Sequence, residues 1–476
     1  MLLILGNSKM PLSSNKVAFF IFCKSEQVIL SHLLTNLRNT FMVDFKITTS
    51  NIRTETFKIY DFQSFKQKAL LWADTENIVC FLDNNGYSNY PYNSQECLMA
   101  IGSQEELVTV DNSFEQLKTF YNEKKDWLFG FLSYDLKDEV ENLASNNNDY
   151  IQLPKLHFFQ PKTVIQFDEN SVNIRTIFNP YSIFQAIQNT FIPNDFPISN
   201  IELSPRISKS EYLEIINKIK NHIIEGDIYE MNFCQEFYAE NAQIHPLTIF
   251  NILNNKNKAP FSAYYKWNDK YILSSSPERF LKKNNQKLIT QPIKGTSKRG
   301  QNPPQDEQLR NELFRDEKNR AENVMIVDLV RNDLAKTCEI GSVNVEELFG
   351  IYTFEQVHQM ISTVVGILPK ETHFIDAIKN AFPMGSMTGA PKVMSMKLIE
   401  EYEVTKRGLY SGAIGYITPD GDFDFNVVIR SILYNAINQY ISVQVGGAIV
   451  YDSDAESEYE ECLIKARAMF ESLMNK

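Results

Sequence analysis

Strand-forming segments that follow one another in hairpin order constrain this chain most. Residues 232–238, 261–267 and 271–276 are short apolar or β-branched runs separated by turn residues. A further run, 279–283, meets an Asn284-Asn285 turn and returns as 287–293. Tight turns join only antiparallel neighbours, because parallel pairs need a long crossover. Upstream, 77–82 reads as a strand before the turn Asp83-Asn-Asn-Gly86, 127–134 as another, and 157–177 as a strand pair. Downstream, 412–418, 427–434 and 440–450 read as strands. Helical patterns over 208–225, 305–336, 374–381, 391–403 and 453–474 interrupt them. The first has Ser208 and Glu211 as a capping box, Leu213, Ile216, Ile219 and Ile223 on one face, and Gly226 as its stop. The proline-bearing stretch 179–207 reads as a connector. Together these predict an α+β fold with a largely antiparallel sheet flanked by helices.

Charge and cysteine usage narrow the function. With 47 basic and 59 acidic residues the net charge is −12, which disfavours nucleic-acid or anionic-membrane partners. A local basic pocket for a small anion stays open. The cysteines at 23, 80, 97, 234, 338 and 462 are dispersed, as expected for reduced structural thiols in a cytoplasmic protein. No apolar run approaches the roughly 20 residues of a membrane span. Residues 1–41 hold one acid, Glu26, against Lys9, Lys16, Lys24 and Arg38, and Met42 offers a second start. They are expected to be an N-terminal extension, not necessarily native, with a transit-like segment as the alternative. Residues 42–200 then form an N-terminal region and 201–476 a catalytic region.

Five stretches place reactive groups where chemistry could use them. Pro292 and Gly295 end regular pairing on either side of Lys294, which a strand end could present to a cavity. Desolvation there would lower its pKa and free a nucleophilic amine; a solvated lysine is the alternative. A two-residue turn at Asn284-Asn285 would set Glu278 opposite Gln291, about 10 Å from Lys294. Glu278 could then protonate a leaving hydroxyl, or be part of a surface Glu-Arg turn. Helical spacing groups Asn319, Glu322 and Ile326, while Asp328, Arg331 and Asp333 read as a buried ion-pair network. In the closing helix Ser453 and Glu456 read as a capping box. Glu458 and Glu461 suit a hard cation such as Mg²⁺, or form a dipole-favoured first turn with Glu461 paired to Lys465. Finally, Thr388 and free N–H groups in the loop 383–392 could hold a carboxylate. Arg430, on the strand from Val427, and the Gly446-Gly447 turn would complete that anion pocket.

The blocks SPERF (276–280), PIKGT (292–296), NRAENVMIVDLVRND (319–333), GSMTGAPK (385–392), GAIGYI (412–417) and GGAIV (446–450) occur in this order. In that order they resemble the chorismate-utilising enzymes, most closely the aminodeoxychorismate synthase component I subfamily. The resemblance runs from about Ile78 to the C-terminal end. It implies a two-sheet, four-layer α+β sandwich like that of anthranilate synthase component I. It also implies amination of chorismate by ammonia to 4-amino-4-deoxychorismate, in the 4-aminobenzoate branch of folate biosynthesis, with Mg²⁺ anchoring a substrate carboxylate. Lys294 would attack C2 while Glu278 protonates the departing C4 hydroxyl; ammonia would then add at C4 and expel the lysine. Glu322 and Glu461 would bind Mg²⁺ with Glu458 nearby, and Thr388, Tyr416, Arg430, Gly446 and Gly447 would hold substrate. No glutaminase elbow is evident, so a separate glutamine amidotransferase subunit is the expected ammonia source. The 4-aminobenzoate-forming lyase step would lie elsewhere.

Anthranilate synthase component I, an isochorismate-forming relative and a catalytically silent chorismate-binding subunit are the alternatives. Related anthranilate synthases usually carry alanine where this chain has Lys294. Several positions depart from the family pattern. Glu230 stands where ammonia-using relatives usually have glutamine and water-using ones lysine. Gln359 replaces an active-site histidine, with His358 one residue early. Asn319 replaces an acidic residue near the metal, and Ala448 a glycine. The turn 83–86 lacks the serine of a tryptophan pocket, although Tyr87, Tyr90, Pro91, Tyr92, Pro260 and Phe261 could line one. Bound tryptophan is therefore one option.

Overall fold

In the computed structural model every named strand pairing is antiparallel, and among the described residues the one parallel contact is an isolated bridge between Asn148 and Thr405. The structure describes residues 52–87, 91–93, 97–193 and 200–474. The expected extension 1–41 lies outside them. Strands from both sides of residue 200 share the sheets: Ile78–Asp83 pairs with Phe261–Trp267, and Leu128–Leu132 with Ala413–Ile417.

One sheet runs from Arg53–Lys58 through Ser171–Thr176, Leu156–Asp168, Cys97–Thr109, Ile78–Asp83, Phe261–Trp267, Lys270–Ser276, Ser431–Asn435 and Tyr440–Ile449 to Glu230–Ala239. The other runs from Leu128–Leu132 through Ala413–Ile417, Phe423–Asn426, Arg279–Asn284 and Lys287–Gln291 to Val357–Ile367. Leu156–Asp168 belongs to both, its first half pairing with Leu128–Leu132 and its second with Ser171–Thr176.

Alternation along the strands builds the layers. Ile78 and Cys80 face a core shared with Phe129, Phe131, Tyr265 and Ile414, between the sheets. Val79 and Phe81 face the opposite way, toward helices Phe62–Ala73, Pro180–Gln188, Lys209–Glu225, Pro246–Lys256 and Ala455–Leu473. Leu128 and Leu132 face Ser113–Lys124, Glu317–Ala335 and Phe374–Ala381. The order is helix, sheet, sheet, helix: the four-layer α+β arrangement.

The structure redraws four segments. Within the expected connector 179–207, Pro180–Gln188 is a helix: Asn179 caps it, Pro180 starts it, and Ile183, Phe184 and Ile187 are buried. Proline at the first helical position costs nothing, since that N–H is unpaired anyway. The expected helix 305–336 is two, Pro303–Arg315 and Glu317–Ala335, broken at Asp316. Asp316 is extended and its side chain accepts from Asn319 N–H at 2.7 Å, so it caps the second helix instead of continuing the first. The strand expected at 287–293 breaks at Pro292 into Lys287–Gln291 and Ile293–Lys298. The strand expected at 427–434 is only Ser431–Asn435, because Arg430 adopts a φ of +52°.

The capping box at Ser208 and Glu211 forms as expected. At the closing helix the cap is instead Asp454, which accepts from Ser457 N–H. Its neighbour Ser453 accepts from Val450 N–H and donates to Glu458. The five described cysteines are buried, and Cys80, Cys234, Cys338 and Cys462 are free thiols. Among the described residues no helix is long and apolar enough to cross a membrane.

Gly130 and Gly415 stand opposite each other where Leu128–Leu132 meets Ala413–Ile417. A Cβ on Gly130 would sit 2.1 Å from the His157 carbonyl oxygen. Gly130→Ala is therefore expected to destabilise the fold by about 1–3 kcal/mol, the usual range for forced overpacking. A urea midpoint equal to that of the parent would contradict this.

Candidate active site

Lys294 lies in a register break between Ile293 and Thr296 on the strand that pairs with Val357–Ile367. Gly295 there has φ +97°, and a Cβ on it would come within 3.1 Å of the Asn319 side chain. The break turns Lys294 inward, where only 10% of its side chain is exposed, and Nζ donates to Glu230 Oε1 at 2.7 Å. Burial opposes the lysine charge, but Glu230, then Glu322 and Glu278, outweigh it and hold the pKa above the ordinary lysine range. The expectation of a lowered pKa is thus corrected: the carboxylates around Nζ keep the resting amine protonated.

Glu278 sits on the turn between Lys270–Ser276 and Arg279–Asn284, with its N–H bonded to Ser276 Oγ at 3.2 Å. It is buried, not the surface turn of the alternative reading. Burial pushes its carboxyl up to about 7 against the Ser386 hydroxyl, the Lys294 charge and a backbone hydrogen bond from Ile293. The hairpin closes one residue later than the sequence suggests, with Asn284 opposite Lys287, and a register shift follows. Arg279, not Glu278, therefore faces Gln291, and it forms a buried pair with Asp424 at 2.8 Å.

Glu322 and Glu458 are both pushed up, first by burial, and Glu458 adds to the shift of Glu322 by repulsion. Ser453 Oγ donates to Glu458 at 2.7 Å. Glu461 is more open and pairs with Lys465 at 2.7 Å, which lowers its pKa. Oxygen donors that repel one another are a set that Mg²⁺ suits, with one or two direct carboxylates and water completing the shell. The three do not converge as one tight cluster. Among the described residues the only such group within 4.8 Å is His222, Glu225 and Asp227, on the surface.

On the anion side, Arg430 is inward-facing, with burial lowering its pKa. It has no carboxylate within ion-pair distance among the described residues; Nη1 donates to Lys465 O at 2.9 Å. Lys465 Nζ in turn donates to Gly446 O at 2.8 Å. Gly446 admits no side chain, because a Cβ would meet Phe233 O at 2.3 Å and Cys234 Sγ at 2.5 Å; beside it Gly447 faces Glu458 and Lys465. Thr388 is buried near Glu230, but its N–H and hydroxyl already bond Gly385 O. The open N–H nest expected in 383–392 is instead a short 3-10 turn, Gly385–Met387, followed by Gly389–Ala390 paired to the Glu230 strand.

Tyr416 is not brought to this site. It packs on Trp127 and Phe129 and lines a separate cleft of about 400 Å³ with Asp83, Pro260, Phe261 and Asp424. Of the aromatic set proposed for tryptophan, Pro260 and Phe261 line that cleft. Tyr87 packs on Phe354, Tyr92 turns to Glu346, and Tyr90 lies outside the described residues. The tyrosine beside Arg430 is Tyr410, whose hydroxyl accepts from Cys234 at 3.6 Å. Arg407 was also unforeseen. Fully enclosed, it binds Glu403, Met387 O and Asn232 O, tying the 383–392 turn to the Glu230 strand.

His358 points away, bonded to Asp306 at 3.0 Å and Thr353 at 2.9 Å, as strand alternation requires if Gln359 faces inward. Gln359 Oε1 and Asn323 Nδ2 are buried with no hydrogen-bond partner. Asp333 is buried between Lys336 and Lys392, as expected, whereas Asp328 and Arg331 form only a solvated pair.

The Glu278 shift predicts a pH signature. An unfolded Glu278 ionises near its ordinary 4.5, while the folded one stays protonated up to about 7, so this residue lowers stability as pH rises through that window. Glu278→Gln should be as stable as the parent below about pH 4, and more stable above about pH 7 by something on the order of 3 kcal/mol. Urea denaturation curves across that range measure the gap, and a gap independent of pH would contradict it.

The description "chorismate binding enzyme" belongs to the family whose pattern matches residues 68–471. Aminodeoxychorismate synthase component 1 of Escherichia coli is 35% identical over 354 residues, covering 72% of this chain and 76% of that protein. The probable chloroplastic aminodeoxychorismate synthase of rice is 35% identical over 381 residues, covering 71% of this chain, which spans only 42% of that protein. The crystal structure of anthranilate synthase component I from Streptococcus pneumoniae superposes with a TM-score of 0.68 at 25% identity, covering 98% of this chain and 100% of that one. The chain belongs to the chorismate-binding enzyme family.

Proposed function

We propose that this chain aminates chorismate at C4, giving 4-amino-4-deoxychorismate through a covalent adduct on Lys294. The observation that carries this reading is an enclosed lysine sharing its electrostatic surroundings with Glu278, a carboxyl pushed up to about 7. Once Lys294 gives up a proton, its amine attacks C2 while Glu278 protonates the C4 hydroxyl, which leaves as water. Ammonia then bonds to C4, and the C2–Nζ bond breaks with its electron pair returning to the lysine. Arg430, beside Tyr410 and Lys465, would hold a substrate carboxylate, a role supported by its having no carboxylate partner among the described residues. Mg²⁺ held by Glu322 and Glu461, with Glu458 adjacent, would neutralise a second carboxylate.

A separate glutamine amidotransferase chain would supply the ammonia, a reading supported by the words "component 1" in the name of the Escherichia coli relative. The product would enter 4-aminobenzoate and folate synthesis in the cytoplasm, a compartment that suits the buried free thiols of Cys80, Cys234, Cys338 and Cys462.

The test is a product assay with chorismate, Mg²⁺ and excess ammonium salt, with and without an aminodeoxychorismate lyase. The expected result is 4-aminobenzoate only when the lyase is present, and a loss of at least about 100-fold in turnover for Lys294→Ala. Anthranilate or isochorismate as product, or undiminished turnover in the variant, would overturn the reading.

A further inference from the structure

Glu230 is a side chain that the mechanism above does not use, although it touches the proposed nucleophile. Its carboxylate is almost fully enclosed, and Oε1 accepts from Lys294 Nζ at 2.7 Å. Oε2 has no hydrogen-bond partner among the described residues, yet it is not one of the fully sealed polar atoms. An ionised carboxylate offers about four acceptor sites, so Oε2 keeps acceptor capacity that a small donor could use. The backbone fixes its position: Glu230 O accepts from Ser395 Oγ at 3.1 Å, and Glu230 pairs with Ala390 across the strand.

The charge around it favours a cation. Glu230, Glu322 and Glu278 all act on the single positive charge of Lys294, and Glu230 in turn repels Glu322. With Glu278 held in its neutral form, Glu230 and Glu322 against one lysine still leave room for a second small cation with N–H donors. The two oxygens of one carboxylate flank a single carbon, and C2 and C4 of the chorismate ring likewise flank a single carbon. A chorismate ring seated with C2 at Lys294 and C3 along the carboxylate would put C4 next to a donor on Oε2.

We propose that Glu230 Oε2 binds the incoming nitrogen as ammonium ion and takes its proton, so that this enzyme uses ammonium where a glutamine at this position would require neutral ammonia. The inference rests on the amination reading above. The protons balance through Glu230 in both halves. It first takes a proton from Lys294, freeing the amine, and that proton replaces the one Glu278 gave to the departing water. Glu230 then accepts a proton from ammonium; the resulting ammonia forms the C4–N bond as the C2–Nζ bond breaks. The departing lysine amine recovers its proton from Glu230, which restores the resting ion pair.

The experiment is the pH dependence of KM for total ammonium salt, measured with the full chain, chorismate and Mg²⁺, in the parent and in Glu230→Gln. Glu278, Glu322 and Lys294 face the same space, and because Glu230 acts on Lys294 and Glu322, removing its charge shifts their titration too; the slope of the parent profile therefore decides. The parent should show a KM roughly constant from about pH 7 to about pH 9, while that of the variant falls about tenfold per pH unit as neutral ammonia accumulates. A parent KM that itself falls tenfold per unit overturns the inference, whether or not the variant folds. Absence of any aminated product from the parent overturns the amination reading and this inference together.

Discussion

The ion pair between Lys294 and Glu230 is the interaction on which the rest of the site depends. A lysine taken out of water keeps its charge only if carboxylates replace the lost solvation. Here the replacement comes from three directions: the Glu230 strand, the Glu278 turn and the Glu317–Ala335 helix. Each is fixed by local chemistry. Pro292 interrupts the ladder, Gly295 takes the left-handed conformation that lets Asn319 approach, and Asp316 starts the helix that carries Glu322. Removing Glu230 would take away the direct partner of the buried Lys294 charge.

The same enclosure sets two groups to opposite tasks. It drives Glu278 toward its neutral, proton-donating form, while the surrounding acids keep Lys294 cationic until a proton acceptor relieves it. Arg430, beside Tyr410 and Lys465, is held by backbone carbonyl contact alone, leaving its charge uncommitted to any carboxylate among the described residues. An acid, a masked amine and an unpaired arginine suit a dianionic substrate that loses a hydroxyl. The orphan polar atoms of Gln359 and Asn323 have the same character, since a buried amide without a partner is costly unless a ligand completes it.

Much of the architecture was legible from the sequence because hairpin turns and two-residue alternation are local signals. The antiparallel order, the capping box at Ser208 and the break around Lys294 all follow from neighbouring residues. Helix Pro180–Gln188 is hidden in the sequence because a proline-bearing stretch reads as a connector, although Pro180 sits where proline is tolerated. Side-chain direction was less accessible. Tyr416 and Tyr410 lie six residues apart on one segment, and only the packing of Tyr416 against Trp127 shows that it serves the other cleft. Arg430 escaped a strand assignment through a single positive φ that nothing in its neighbours announces. Arg407 was missed for a related reason: its partners lie in segments far apart in sequence.

The account stands most directly on covalent chemistry at Lys294. The measurement is peptide mass mapping of the protein quenched with acid after incubation with chorismate and Mg²⁺ in ammonia-free buffer. The account predicts a mass increase of chorismate less one water on the peptide containing Lys294, discharged when ammonium salt is added before the quench. Turnover of chorismate on adding ammonium, with no such adduct on that peptide beforehand, would contradict it.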